Sequence, residues 1–154
     1  MTPVIILLAF IFCHNANGQE LPPPPNDDSR KMEILKESFL RTAKQCSLIH
    51  STTTVGIIAL MMDENSVDQD GKCFLQCMLQ RYKLLNDKGS LNRDKIKTFL
   101  SYIPESAFLK SVKTNLADCS KERGILPCET SYKLIRCFYT KARMQNAAAR
   151  KVPM

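Results

Sequence analysis

Asp68-Gln69-Asp70-Gly71-Lys72-Cys73-Phe74-Leu75-Gln76-Cys77-Met78-Leu79 is the stretch whose reading decides the fold. It reads as the start of a helix, with Asp68 or Asp70 as the capping residue. Cys73 and Cys77 stand four apart, so they share one helical face. Their side chains run side by side rather than at each other. Each more easily bonds a cysteine from elsewhere. A helix held at two adjacent points by two separate segments is a hub, and the rest of the chain supplies the segments.

Working outward, the hub helix is expected over residues 71–85. Asn86-Asp87-Lys88-Gly89 then closes it with turn chemistry. Upstream, residues 54–62 carry Thr, Val and Ile, which would suit a strand. No second strand lies nearby to pair with them, so a short helix is expected. Residues 31–46 place Met32, Leu35, Phe39, Ala43 and Cys46 on one stripe of 3.6-residue period, a first helix. Before it, Asn26-Asp27-Asp28-Ser29 supplies N-cap types. Downstream, residues 92–103 turn Ile96, Phe99, Leu100 and Ile103 to one face, and Pro104 stops the helix. Residues 106–119 are striped by Phe108, Leu109, Val112, Leu116 and Cys119. Gly124 and Pro127 mark a loop. A last helix over 129 to about 148 turns Tyr132, Ile135, Phe138, Tyr139 and Ala142 inward. The expected fold class is all-α: six short helices around an apolar interior, cross-linked by disulfides.

The chain ends bound the domain. Val4 to Phe12 is wholly apolar and too short for a bilayer. Small residues Ala16 and Gly18 follow, at the positions a signal peptidase reads. Residues 1–18 are therefore expected to be a signal peptide, and the protein to be secreted. Residues 19–30 form a Pro-rich arm built on Pro22-Pro23-Pro24-Pro25, an extended spacer. Residues 31–149 form the helical domain, and 150–154 a short tail. Arg150 and Lys151 are costly to bury unpaired, so the tail is expected to tune a pocket rather than build it. Losing the leader removes Cys13 and leaves six cysteines. An even number in a secreted chain implies a disulfide framework, with about 15 possible pairings.

Charge and composition exclude several classes. The 22 Lys and Arg against 15 Asp and Glu give a formal charge of +7, with the basic residues scattered rather than grouped. That pattern favours solvated helix faces over nucleic-acid binding. No later apolar run reaches the ~20 residues of a membrane helix. No cofactor is expected. Neither is a metal: Asp68-Gln69-Asp70-Gly71 faintly resembles a calcium loop but lacks the later ligands and the closing Glu. Once the leader is gone His50 is the single histidine, in a Ser/Thr-rich loop. It has no Asp neighbour of the kind a secreted phospholipase needs. No nucleophile–base constellation is visible, so no enzymatic activity is expected.

The cysteine spacing adds a resemblance. Between successive cysteines from Cys46 to Cys137 lie 26, 3, 41, 8 and 8 residues. Lys72-Cys73-Phe74, Cys77 and Gly89 before Leu91 complete a pattern over residues 31–139 that resembles the insect odorant-binding protein family, the pheromone and general odorant-binding proteins. The resemblance implies a six-helix fold enclosing an apolar cavity. It implies the pairings Cys46–Cys77, Cys73–Cys128 and Cys119–Cys137, which agree with the hub. It implies extracellular, non-catalytic carriage of small hydrophobic molecules such as odorants or pheromones. An olfactory receptor and a weak homodimer are the further partners it suggests. Many sensillar members are acidic, whereas this chain is basic. Saliva, haemolymph and reproductive secretions therefore stand beside antennal lymph as settings. The alternative from another class is a basic secreted helical protein acting on membranes or lipids, as saposin-like proteins do. Their cysteines, however, lie two near the start and two near the end.

The inward faces give the expected ligand wall: Leu60, Met61, Phe74, Met78, Phe99, Ile103, Phe108, Val112 and Phe138. Met62 could join Met61 and Met78 in an adaptable pocket, since methionine is soft and unbranched. There is no Trp. Such a wall is mainly aliphatic, methionine and phenylalanine, and suits a non-polar ligand.

Overall fold

The computed structural model describes residues 26–86 and 88–149, apart from the side chains of residues 54, 108 and 146–149. The expected leader, most of the Pro-rich arm and the tail lie outside the described residues. Six helices follow in order: α1 Asp28–Ile49, α2 Thr54–Met62, α3 Gln69–Arg81, α4 Arg93–Leu100, α5 Ala107–Cys119 and α6 Pro127–Ala149. Among the described residues there is no strand, only one isolated antiparallel bridge between Leu85 and Leu91.

Capping chemistry sets most of the boundaries. Asp27 accepts the backbone N–H groups of Ser29 and Arg30, so α1 starts three residues before its expected start at Lys31. It also runs past Cys46 to Ile49, where the His50 N–H still donates to the Cys46 carbonyl at 2.9 Å. Thr53 caps α2 through the Gly56 N–H, and the segment is a helix as its lack of a pairing partner required. Asn92 and Ser106 cap α4 and α5 through the N–H groups of Lys95 and Leu109. Pro127 opens α6, where its missing donor is no loss and its fixed φ suits the first turn.

Two helices end earlier than their apolar pattern suggests. α3 stops at Arg81 instead of residue 85. Lys83 takes a left-handed conformation, φ 56°, which no helix continues through. Leu84 and Leu85 are buried all the same, because the chain folds back and pairs Leu85 with Leu91. Gly89, φ 73°, turns the loop between them, and the Asn86 side chain accepts from the N–H groups of Lys88 and Ser90. α4 stops at Leu100 instead of 103. The Ser101 hydroxyl donates to the Thr98 carbonyl, and Tyr102 and Ile103 continue in tighter three-residue turns.

Three disulfides join Cys46–Cys77, Cys73–Cys128 and Cys119–Cys137, with Cα–Cα distances of 5.8, 4.5 and 5.6 Å. These are the three pairings implied by the family resemblance. α3 is the hub: one bond ties it to α1 and the other to the first turn of α6. Its most extensive packing is against α6, with α1 and α2 on other flanks. Arg81 adds a hydrogen bond to the Gln45 side chain at 2.7 Å. At the start of α6, the Glu129 carboxylate accepts the Ile125 N–H, and this bond holds its carboxyl below the usual range. A lowered folded-state pKa gives stability that is present above the ordinary carboxylate range. It is lost as pH falls through the lowered value.

Gly71 sits where α2 meets the start of α3. A Cβ there would lie 2.5 Å from Asp68 Oδ2 and 3.0 Å from Leu60 Cδ2. Asp68 is the N-cap of α3, accepting the Gly71 N–H at 2.9 Å. Gly71→Ala gains helix propensity of up to about 1 kcal/mol but displaces a cap worth about 0.5–2 kcal/mol and crowds a buried leucine. The expected net result is a loss of about 1 kcal/mol in urea unfolding. A gain would show that Asp68 moves without leaving its cap.

Candidate ligand-binding interior

Four of the nine expected wall residues meet in one cluster. Leu60 and Met61 come from α2, Phe74 and Met78 from α3, each at most 5% exposed. The two helices present them by the same logic: Leu60–Met61 and Phe74–Met78 each lie on the helix face that points at the other elements. Ile57, Leu75, Ala43, Cys46, Tyr132 and Tyr139 complete the cluster, and Phe39, Tyr82 and Ile135 pack against it half-buried. So α1, α2, α3 and α6 all contribute.

The remaining five scatter. Phe99 reaches this cluster through Tyr82, whose ring it meets edge-on at 5.4 Å. Phe138 packs instead against a second cluster of Leu85, Cys119 and Leu134. Ile103 and Val112 are half-buried and belong to neither cluster. The side chain of Phe108 lies outside the described residues. Met62 departs from its expected place beside Met61. It is 53% exposed, and its sulfur accepts from the Tyr139 hydroxyl at 3.1 Å and from Arg143 at 3.0 Å.

Tyr132 and Tyr139 are buried in the cluster, as their inward stripe required, whereas Tyr82 is a residue that the apolar pattern passed over. Tyr82 lies one turn beyond Phe74 and Met78, on the same stripe, so the i, i+4, i+8 spacing could have found it. Its ring stacks on Phe39 at 6.2 Å and its hydroxyl donates to Ser38 Oγ at 3.3 Å. Burial pushes its phenol above the ordinary tyrosine range, and the hydrogen bonds with Ser38 and Thr42 offset part of that. The Tyr132 hydroxyl donates to the Asp63 carbonyl, which pins the loop after α2 to α6. Burial raises its pKa too. Tyr102 is wholly buried just past the end of α4.

α5 differs from expectation in which face it buries. Leu109 and Cys119 point inward, but so do Ser111 and Asn115. The Asn115 amide donates to the Ser111 carbonyl at 2.8 Å and to its hydroxyl at 3.3 Å. A buried polar pair of this kind is satisfied within its own helix.

The interior offers little reactive chemistry. Among the described residues no group of three or more His, Cys, Asp or Glu side chains is arranged to hold a metal. His50 stands at the C-terminal cap of α1, and among the described residues no ion pair joins it to an acidic group. What converges is apolar side chains, three tyrosines and the Cys46–Cys77 disulfide. They form an apolar core packed around α3. No described helix is long and apolar enough to cross a membrane.

Comparison with known proteins points the same way. Over 76 residues the chain is 33% identical to "Odorant-binding protein 10" of Aedes aegypti, covering 49% of this chain and 51% of that protein. It is 25% identical over 71 residues to "General odorant-binding protein 69a" of Drosophila melanogaster, covering 46% of this chain and 45% of that one. The chain thus spans about half the length of the curated relatives it matches. No solved structure matches it. The PBP/GOBP family profile matches residues 28–141, from the first residue of α1 into α6. A match that takes in five helices, most of the sixth and all three disulfides is decisive, and the chain belongs to the PBP/GOBP family.

Proposed function

We propose that the protein is a secreted, non-catalytic carrier that reversibly binds a small hydrophobic molecule in the interior between α1, α2, α3 and α6. Family membership over residues 28–141 is the observation that carries this reading. The names of the two relatives speak of odorant binding, and the apolar convergence of Leu60, Met61, Phe74 and Met78 suits such a ligand. Three disulfides fit an oxidising, extracellular setting. Phe99, Ile103, Phe108, Val112 and Phe138 are proposed as the outer part of the wall.

The experiment is a binding titration of the refolded, fully oxidised protein with phenylnaphthylamine, an apolar fluorescent probe. Micromolar binding is expected, with displacement by long-chain alcohols, esters or fatty acids. Failure to bind any of a broad apolar panel would overturn the carrier reading. Leakage from vesicles under those conditions would then favour action on membranes.

A further inference from the structure

The tyrosine hydroxyls of the interior are matched to partners with one exception. Tyr82 donates to Ser38, Tyr132 to the Asp63 carbonyl and Tyr139 to the Met62 sulfur. The buried hydroxyls of Thr42, Thr130 and Ser131 are likewise bonded, to Ser38, Gly124 and Pro127. Tyr102 is 0% exposed, and its hydroxyl has no hydrogen-bond partner among the described residues. Arg136 Nε is the other unpartnered buried atom, but its guanidinium still meets Glu64 at 3.4 Å. Tyr102 is therefore the one buried side chain described whose whole hydrogen-bonding capacity goes unused.

A buried polar group without a partner is rare and carries a free-energy penalty. Nothing in the local backbone accounts for it. The Tyr102 N–H donates to the Phe99 carbonyl at 3.2 Å, which fixes the turn but leaves the phenol free. That bond ties the residue to Phe99, whose ring meets Tyr82 at the margin of the main cluster. Phenylalanine would fill the same space without the penalty.

We infer that Tyr102 is a polar anchor at the α4 edge of the binding interior, its hydroxyl donating to the acceptor oxygen of a neutral ligand such as a ketone, ester or aldehyde. The inference rests on the carrier reading above and names the ligand class for it. Burial holds the phenol above the ordinary tyrosine range, so at neutral pH it is an uncharged donor. A buried, uncharged donor discriminates by oxygen content rather than by charge. A hydrocarbon of the same shape would leave the hydroxyl unmet.

The test uses the full oxidised protein and two competitors against phenylnaphthylamine. One is a long-chain methyl ketone. The other is the alkene of the same shape, with C=CH2 in place of C=O. The ketone-to-alkene affinity ratio is measured for wild type and for Tyr102→Phe. The expected result is that the variant binds the alkene as wild type does but loses about 3- to 10-fold of the ketone preference, the worth of one neutral hydrogen bond. Without ligand, Tyr102→Phe should melt at or above the wild-type temperature, because it removes an unmet hydroxyl. An unchanged ratio, with the probe still bound, would overturn the anchor and leave the carrier reading standing. A markedly lower melting temperature would also overturn it, since the hydroxyl would then serve the fold. A wild-type protein that binds neither probe nor competitors would overturn the carrier reading and the anchor with it.

Discussion

Replacing Cys73 and Cys128 together by alanine is expected to lower the melting temperature by about 12–20 °C. The bond closes a loop of 55 residues, the longest of the three. Chain entropy assigns such a loop about 4 kcal/mol, and a domain of this size loses roughly 3–5 °C per kcal/mol. The same double replacement at Cys119 and Cys137, 18 residues apart, should cost about 3 kcal/mol. Thermal unfolding followed by circular dichroism gives both values. The order is the informative part. If the 18-residue bond proves the more costly, loop entropy is not what decides. α5 would then depend on its cross-link to α6 for docking, since few large apolar side chains on its inner face are fully buried.

Phe74→Ala is expected to cost about 3–5 kcal/mol, the range for a large aromatic removed from a packed core. Phe74 is 2% exposed and stands on the hub helix among Leu60, Met61, Met78 and Tyr132. Phe99→Ala, at a half-buried position on the rim of the same cluster, should cost clearly less. Urea unfolding measures both. The comparison also reports on the interior itself. A side chain facing open space has fewer contacts to lose. A cost below about 1 kcal/mol at Phe74 would therefore place it on the edge of a void rather than in packed core.

Much of the fold was legible because several signals agreed. Most helices followed from stripes of 3.6-residue period, and α2 from the lack of a second strand to pair with. Asp68, Asn92 and Ser106 were visible as caps or helix starts. The hub followed from two cysteines on one face, although the pairing itself came with the family resemblance. Boundaries were less legible where apolar burial continued past the helix. Leu84 and Leu85 extend the stripe of α3, yet they are buried by the returning Leu91 after Lys83 has turned the chain. Ile103 misled in the same way at the end of α4. Periodicity reports burial, and burial outlives the helix.

For the candidate site, burial was legible at the centre and less so at the margins. Leu60, Met61, Phe74 and Met78 are long apolar residues on helix faces, and pattern alone placed them inward. Met62 is just as apolar, but one residue further round the helix it faces Tyr139 and Arg143. Phe138 went to a neighbouring cluster because α6 serves α3 and α5 on different sides. Tyr102 lies off the stripe of Ile96, Phe99, Leu100 and Ile103, and it is buried only because the chain leaves the helix at Leu100. Ser111 and Asn115 looked like solvent-facing residues, and only their mutual hydrogen bonds let them turn inward.

The two cysteines on one face of α3 also bear on how the oxidised protein is reached. In an unfolded chain the shortest loops close most readily, so Cys73 and Cys77, with three residues between them, are kinetically the favoured pair. In a helix their Cβ atoms are about 5–6 Å apart, whereas a disulfide needs about 3.5–4.5 Å. Of the about 15 ways to pair six cysteines, those that join these two are thus closed off as soon as the segment becomes helical. Secondary structure acts here as a filter on covalent chemistry. A local event, formation of one 13-residue helix, narrows the choice of bonds before distant segments have met.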